Sequence, residues 1–425
     1  MRVTEVFTPG TVPDSTYNKR QEMELESKLL KVLEIGGKIA VITGQSKIGK
    51  TVLVRKVINP EKRVEIQAKD IEERLDVSIA KALKYPTDSK IIETLEKEDQ
   101  NKLRITGEMS GGFTFFEFMK TKLGISPEFQ KTDKKDSSLV KTFEENLFES
   151  VIQHMIKEDR VLIFDDFHYL NRDQQRDIIH KLKDPISRGL KVVVILIPNR
   201  GEDIVTAEKD MDGRTKIIEM PAWTESELRY IPETGFPLLN IKCHKNIIDH
   251  FVENSFKNPH LMQDICANFC YQLGVLKKLD EEKSINYEDV NFARLYREVS
   301  DENRSLLERI ERGKATKGTR RKEHILKNQE LRFDIYQLIV KALGEYAHKD
   351  IIEMREFVTT IKSYLAEEEG IRTSDVAGTL NRMVAIAKED NELEPVIDYH
   401  QEDERIVMNN PFFQFAIRWR RQSIE

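Results

Sequence analysis

A chain of 425 residues exceeds one typical domain and predicts two or three. With 39% hydrophobic and 33% charged residues it can build real cores under a densely charged surface, and a formal net charge of −6 excludes a global basic field that draws it to nucleic acid. No run approaches the roughly 18 apolar residues of a spanning helix, and the N-terminus lacks an apolar core of signal-peptide length, so a cytoplasmic protein is expected. Cys243, Cys266 and Cys270 have no further Cys or His at ligand spacing and read as buried free thiols, not as a zinc site.

Residues 1–20 are turn-rich and contain two prolines, which suggests a strap and not an element. A helix is expected over 21–34, with Leu25, Leu29, Val32 and Leu33 on one face and Gly36-Gly37 as its stop. Residues 38–43, KIAVIT, form a short β-branched run suited to a buried strand. The segment after it, Gly44-Gln45-Ser46-Lys47-Ile48-Gly49-Lys50-Thr51, fits the P-loop pattern G-x-x-x-x-G-K-[ST] at every fixed position. A strand feeding a glycine turn into a helix N-terminus gathers backbone N–H groups and the positive end of a helix dipole at one point, which suits triphosphate oxygens. Gly44 and Gly49 allow close approach, Lys50 reaches the β/γ-phosphates, and the Thr51 hydroxyl ligates Mg²⁺. An accidental match in a chain of this length is on the order of one per cent.

A strand is expected at 63–66. Residues 70–140 are charged and irregular and read as an insertion, followed by a helix near 142–157. Val161-Leu162-Ile163-Phe164-Asp165-Asp166 is an apolar run ending in two aspartates, the pattern of a buried parallel strand with carboxylates at its C-terminal end, where ligands gather in open α/β sheets. Asp165 is the expected Walker B residue, linked to Mg²⁺, and Asp166 is placed to orient or deprotonate the attacking water. Asn171 is the expected cap of a helix over 172–188. Strands at 191–197 and 215–219 complete an α/β pattern, a mostly parallel sheet covered on both faces.

From 224 to about 310 the pattern is helical, opened by the capping box Thr224-Glu225-Ser226-Glu227 and containing a helix with Asn258 as N-cap and Pro259 at N1. Residues 311–331, with Arg312, Lys314, Lys317, Arg320, Arg321 and Lys322, read as a basic linker. Helices at 332–346, 350–366 and 374–388 and a hairpin at 395–399 and 405–408 describe a winged helix.

This succession resembles the STAND-type and archaeal-type P-loop ATPases of the AAA+ lineage. The resemblance implies an ATPase domain over 1–222, a helical lid over 223–310, the linker, and a winged-helix domain over 332–425. It also assigns roles: Tyr17 and Arg20 in the strap beside adenine, Asn199 and Arg200 at sensor 1, Arg214 as an arginine finger acting on a neighbour's nucleotide, and Pro259 of Lys257-Asn258-Pro259 near the base. The lid motif departs from the family pattern in having Lys257 where glycine is usual. ATP is expected over GTP because no N-K-x-D tetrapeptide occurs, with Mg²⁺ as cofactor. The expected function is a slowly hydrolysing molecular switch that assembles into a homo-oligomer on ATP binding and engages a protein partner. A DNA-associated ATPase is the alternative, favoured by the basic linker and the winged helix, and an adaptor with a structural nucleotide is a third class.

Overall fold

The computed structural model describes residues 1–71, 74–83, 136–197, 213–300, 304–314, 321–327, 331–390, 395–408 and 410–420. They fall into two compact units, one of residues 21–44 and 53–220, the other of residues 1–20, 45–52 and 221–425.

The first unit is built on a five-stranded sheet: β1 (Ile39–Thr43), β2 (Arg63–Gln67), β3 (Val161–Asp165), β4 (Lys191–Leu196) and β5 (Thr215–Glu219), in the order β2-β3-β4-β1-β5. Every neighbouring pair is parallel. All five residues of β1 and of β3 are buried, as is β4 after its first residue, which is why these strands read as continuous apolar runs without alternation. The outer strands differ: β2 alternates, and β5 buries Ile218 alone.

Helix α1 (Leu25–Ile35) buries the expected Leu25, Leu29, Val32 and Leu33, and ends at Gly36 with φ +68°. It starts four residues later than the periodicity suggests, because Glu24 takes a left-handed φ of +52° and leaves Gln21–Met23 as a separate 3₁₀ turn. Helix α2 (Lys50–Val57) starts within the P-loop; α3 (Leu75–Ala82), α4 (Asp136–Lys157) and α5 (Arg172–Ser187) follow. Leu75, Ile79, Val151, Ile152, Ile178 and Leu182 from these helices share one core with Val64, Leu162 and Val194 of the sheet. Most of the anticipated 70–140 insertion lies outside the described residues.

The second unit includes residues 1–20, where the expected strap without an element holds a single helical turn, Val3–Val6, with Val3 and Val6 buried. Its first longer helix after the sheet is α6 (Glu225–Leu238), capped as expected by Thr224 and Glu227. It continues with α7 (Lys245–Asn254), α8 (Pro259–Gln272), α9 (Phe292–Ser300) and α10 (Arg304–Arg312). The segment is not purely helical: β6 (Ile241–Cys243) and β7 (Lys283–Ile285) form a parallel pair. Each has three residues, and they are parallel partners far apart in the chain with no tight turn between them, so nothing in the sequence marks them. The expected linker also conceals a strand: β8 (Glu323–Ile325) pairs antiparallel with β9 (Arg332–Asp334). Because of β9, α11 starts at Ile335, with Asp334 as its N-cap. Then come β10 (Ile351–Glu353), α12 (Met354–Tyr364), α13 (Thr373–Asp390), β11 (Asp398–His400), β12 (Arg405–Val407) and α14 (Pro411–Arg420). The expected hairpin β11-β12 is present, but β10 adds a third antiparallel strand against β12. Leu338, Phe357, Ile361, Leu380 and Ile406 form its core. Helix α14 returns to the helical segment, where Trp419 and Phe415 pack on Tyr296 and Arg418 pairs with Glu253.

Candidate functional site

The P-loop directly follows β1. Lys47 takes φ +59° and Gly49 φ +101°. Reversals of backbone hand of this kind fold successive N–H groups toward one point and make an anion-binding concavity. At Gly49 a side chain would be strained by the backbone, although no atom lies within 4 Å of where its Cβ would stand. Lys50, 7% exposed, donates from Nζ across the turn to the Gln45 carbonyl at 2.7 Å. Ile48 is buried, while Gln45 and Lys47 are exposed and Ser46 and Thr51 are intermediate.

Two side chains hold the loop from outside. The Trp223 indole N–H donates to the Ile48 carbonyl at 3.0 Å, and Asn258 Nδ2 donates to the Lys47 carbonyl at 3.4 Å. The Lys47 ammonium stands 3.9 Å from the centre of the Phe412 ring, which His260 meets edge-on at 5.0 Å. Burial, and secondarily the charge of Lys47, push the His260 imidazole down to about 4, so it is neutral at physiological pH. None of these four residues is assigned to the P-loop by the sequence. Trp223 lies 175 residues from Ile48 in the chain, and local pattern carries no signal over such a distance.

Asp165 closes β3 and is buried. Gln67 Nε2 donates to its Oδ2 at 3.3 Å, and the Asp166 N–H donates to its Oδ1 at 3.1 Å. The register sets Phe164 beside Val194 and Val194 beside Val41, so Asp165 stands level with Ile42. It is two strands away from β1, about 10 Å. Asp166 is left-handed, with φ +56°, at the head of the 3₁₀ turn Phe167–Tyr169. A non-glycine residue held there costs on the order of 1 kcal/mol, the kind of backbone strain that clusters at functional sites. Asp166 does not cap α5; Asn171 does, accepting from the Gln174 N–H at 2.9 Å.

The remaining assigned residues are dispersed. Asn199 and Arg200 follow β4, the strand between β1 and β3, and lie outside the described residues. Arg214 is half-buried at the opening of β5, its carbonyl accepting from the Ile39 N–H at 2.8 Å. In the strap, Tyr17 is half-buried, whereas Arg20 is buried and bound to the protein itself. Arg20 donates to Glu227 Oε1 at 2.8 Å, to the Pro221 carbonyl at 2.9 Å and to the Ala222 carbonyl at 3.1 Å, and lies 5.1 Å from the Trp223 ring centre. Its geometry is that of a residue tying the strap to the start of α6. Pro259 is buried at N1 of α8, behind the cap that Asn258 makes to the Leu261 N–H.

Among the described residues of the basic linker, Lys314, Arg321 and Lys322 have partners within the protein. Arg321 donates to Asp334 at 2.9 Å and to the Lys314 carbonyl at 2.7 Å, with its guanidinium 4.2 Å from the Tyr336 ring centre. Lys322 pairs with Glu369, and Lys314 with Glu389. Lys317 and Arg320 lie outside the described residues. Arg321→Ala is therefore expected to lower stability by about 1–3 kcal/mol through lost hydrogen bonds and ring contact. Chemical denaturation checks this, and an unchanged midpoint argues that the guanidinium is available to a ligand.

No family model matches the chain, and no curated protein does. Among solved structures, it is similar to Cdc6p from Pyrobaculum aerophilum, at 14% identity over 98% of this chain and 97% of that one, with a TM-score of 0.40. The Walker-type ATPase of Pyrococcus abyssi is 13% identical over 93% and 95% of the two chains, with a TM-score of 0.47. The Aeropyrum pernix ORC2 protein is 11% identical over 99% and 98%, with a TM-score of 0.46. The sheet order β2-β3-β4-β1-β5, with a P-loop after β1 and an acidic pair after β3, gives this chain the parallel-sheet α/β fold of a P-loop protein.

Proposed function

We propose that the chain binds ATP and hydrolyses it slowly, the bound nucleotide setting its conformation and its assembly. The observation that supports this best is the P-loop itself, a turn with left-handed Lys47 and Gly49 closed by the buried Lys50 ammonium on the Gln45 carbonyl. Triphosphate oxygens present a stronger acceptor to that ammonium than a neutral carbonyl does, because charge-assisted hydrogen bonds are roughly twice as strong.

In this reading Gly44 to Thr51 cradle the phosphates. The Thr51 hydroxyl and the Asp165 carboxylate suit Mg²⁺, which takes hard oxygen donors, and they would hold it. When bound, Mg²⁺ neutralises charge on the β- and γ-phosphates. Gln67 and the Asp166 N–H fix the Asp165 carboxylate in one orientation. Asp166 orients the attacking water and accepts its proton, with Asn199 and Arg200 as the proposed sensors of the γ-phosphate.

Asp166→Asn tests the division of labour between the two aspartates. Its amide keeps the shape but cannot accept a proton, so Mg·ATP affinity is expected to stay within about threefold while turnover falls by two orders of magnitude or more. Single-turnover hydrolysis beside equilibrium binding reads both. Surviving hydrolysis in Asp166→Asn, with loss in Asp165→Asn, reassigns the proton acceptor.

The three helices and three strands from α11 to β12 are read as a winged helix, in which α13 takes the recognition position. A DNA-associated role rests on that reading and on Lys317 and Arg320. The exposed face of α13 offers Arg382 and Lys388, of which Arg382 binds Tyr336 and Lys388 pairs with Asp398. The turn between β11 and β12 presents exposed Glu402, Asp403 and Glu404. Both observations favour a protein partner over a phosphate backbone.

A further inference from the structure

Two side chains from outside the phosphate-binding pattern, Trp223 and Asn258, donate to carbonyls of the P-loop. We infer that Trp223 is a positioning residue for nucleotide binding, its indole N–H on the Ile48 carbonyl aiming the Gly49 amide at the phosphates. The inference rests on the ATP-binding reading above and adds a residue and a mechanism to it.

A trans peptide is planar, and its C=O and N–H point in opposite directions. Whatever draws the Ile48 carbonyl outward therefore turns the Gly49 N–H the other way, into the concave side of the loop. The Trp223 indole, 3.0 Å away and 8% exposed, does this from a fixed position. Asn258 acts likewise on the preceding peptide: its amide on the Lys47 carbonyl turns the Ile48 N–H inward. Two successive N–H groups thus converge through two outward carbonyl contacts, and Gly49 at φ +101° allows the chain to make the bend.

Trp223 is itself held. Arg20 lies over its ring at 5.1 Å while bonding the Pro221 and Ala222 carbonyls, which directly precede Trp223, and the Glu227 carboxylate in α6. The Glu227 carboxyl is held below its usual range: burial alone raises it, but the Arg20 and Thr224 bonds outweigh that. Asn18 adds a further tie from the strap, to the Glu227 carbonyl. Strap, α6 and indole form a rigid mount, and on this account Arg20 supports nucleotide binding without touching the nucleotide. Packing alone needs no N–H donor aligned on a P-loop carbonyl.

Trp223→Phe removes the N–H and keeps an aromatic surface under Arg20. Equilibrium binding of Mg·ATP is expected to weaken about tenfold, with KM raised and kcat changed less than threefold, since the Gly49 amide contacts phosphate in ground and transition states alike. Trp223 and Trp419 are the two tryptophans of the chain, so Trp419→Phe leaves Trp223 as the sole indole emitter. Its emission is expected to shift on titration with ATP, with the same Kd as found by calorimetry, and this second measurement needs no change at Trp223 if Trp223→Phe fails to fold. Unchanged affinity in a folded Trp223→Phe, or Trp223 emission indifferent to saturating ATP, overturns the inference. Absence of ATP binding by the unmodified protein instead removes the reading on which it stands.

Discussion

Lys50→Ala is expected to weaken Mg·ATP binding by a hundredfold or more and to abolish turnover. Lys50 is 7% exposed, and its ammonium reaches the Gln45 carbonyl across the mouth of the loop. Hydrogen bonds from a charged group are worth about 1.5–3 kcal/mol each, so loss of two such contacts to phosphate accounts for that factor. The same substitution frees the carbonyl of Gln45, an exposed residue, to take a water instead, so the fold is expected to survive with a melting temperature within a few degrees. Calorimetric titration beside a thermal melt separates the two effects. A folded variant that binds ATP as the parent does refutes the P-loop assignment, because no rearrangement of neutral N–H donors replaces a fixed cation.

What the sequence made legible and what it hid divide along physical lines. Buried parallel strands are continuous apolar runs, and β1, β3 and β4 appear where such runs predict them. Helix caps are equally local, and those at Thr224, Asn171 and Asn258 are all present. The strands β6 to β10 are three residues each, too short to display alternation, and no apolar runs flanking a short charged turn mark them as such runs mark the equally short β11 and β12. In the candidate site the phosphate-binding pattern was legible because its chemistry is contiguous in the chain. The contacts that hold it in place were not: Trp223, Asn258 and Phe412 come from three distant segments, and their partners are backbone carbonyls and a lysine that any sequence could offer. Arg20 shows the converse, a residue whose motif suggested contact with a base and whose guanidinium is bound to Glu227 and two carbonyls.

Arg214→Ala is expected to lower ATP turnover by roughly a hundredfold or more, by analogy with arginine fingers supplied in trans, while leaving nucleotide affinity nearly unchanged. The register of β1 and β5 favours a trans role. Ile39 pairs with Thr215 and Thr43 with Glu219, so Arg214 lies at the start of β5, beside the start of β1. The P-loop leaves β1 at its other end, about 16 Å away along the strands. That separation is longer than an arginine side chain, and Arg214 cannot serve the nucleotide held at the end of its own β1. Among the described residues its strand is also the sheet edge, and Ile217 on β5 together with Leu30 and Ile35 on α1, which packs against β5, are exposed at 39%, 44% and 67%. Exposed apolar residues beside an open strand edge favour association with a second copy. Specific activity should therefore rise with protein concentration. Mixing Arg214→Ala with Lys50→Ala should restore part of the activity, because the first keeps an intact P-loop and the second an intact arginine, and only a shared site can combine them. If specific activity stays constant across the monomer range, and the mixture is no more active than its parts, Arg214 has no part in hydrolysis.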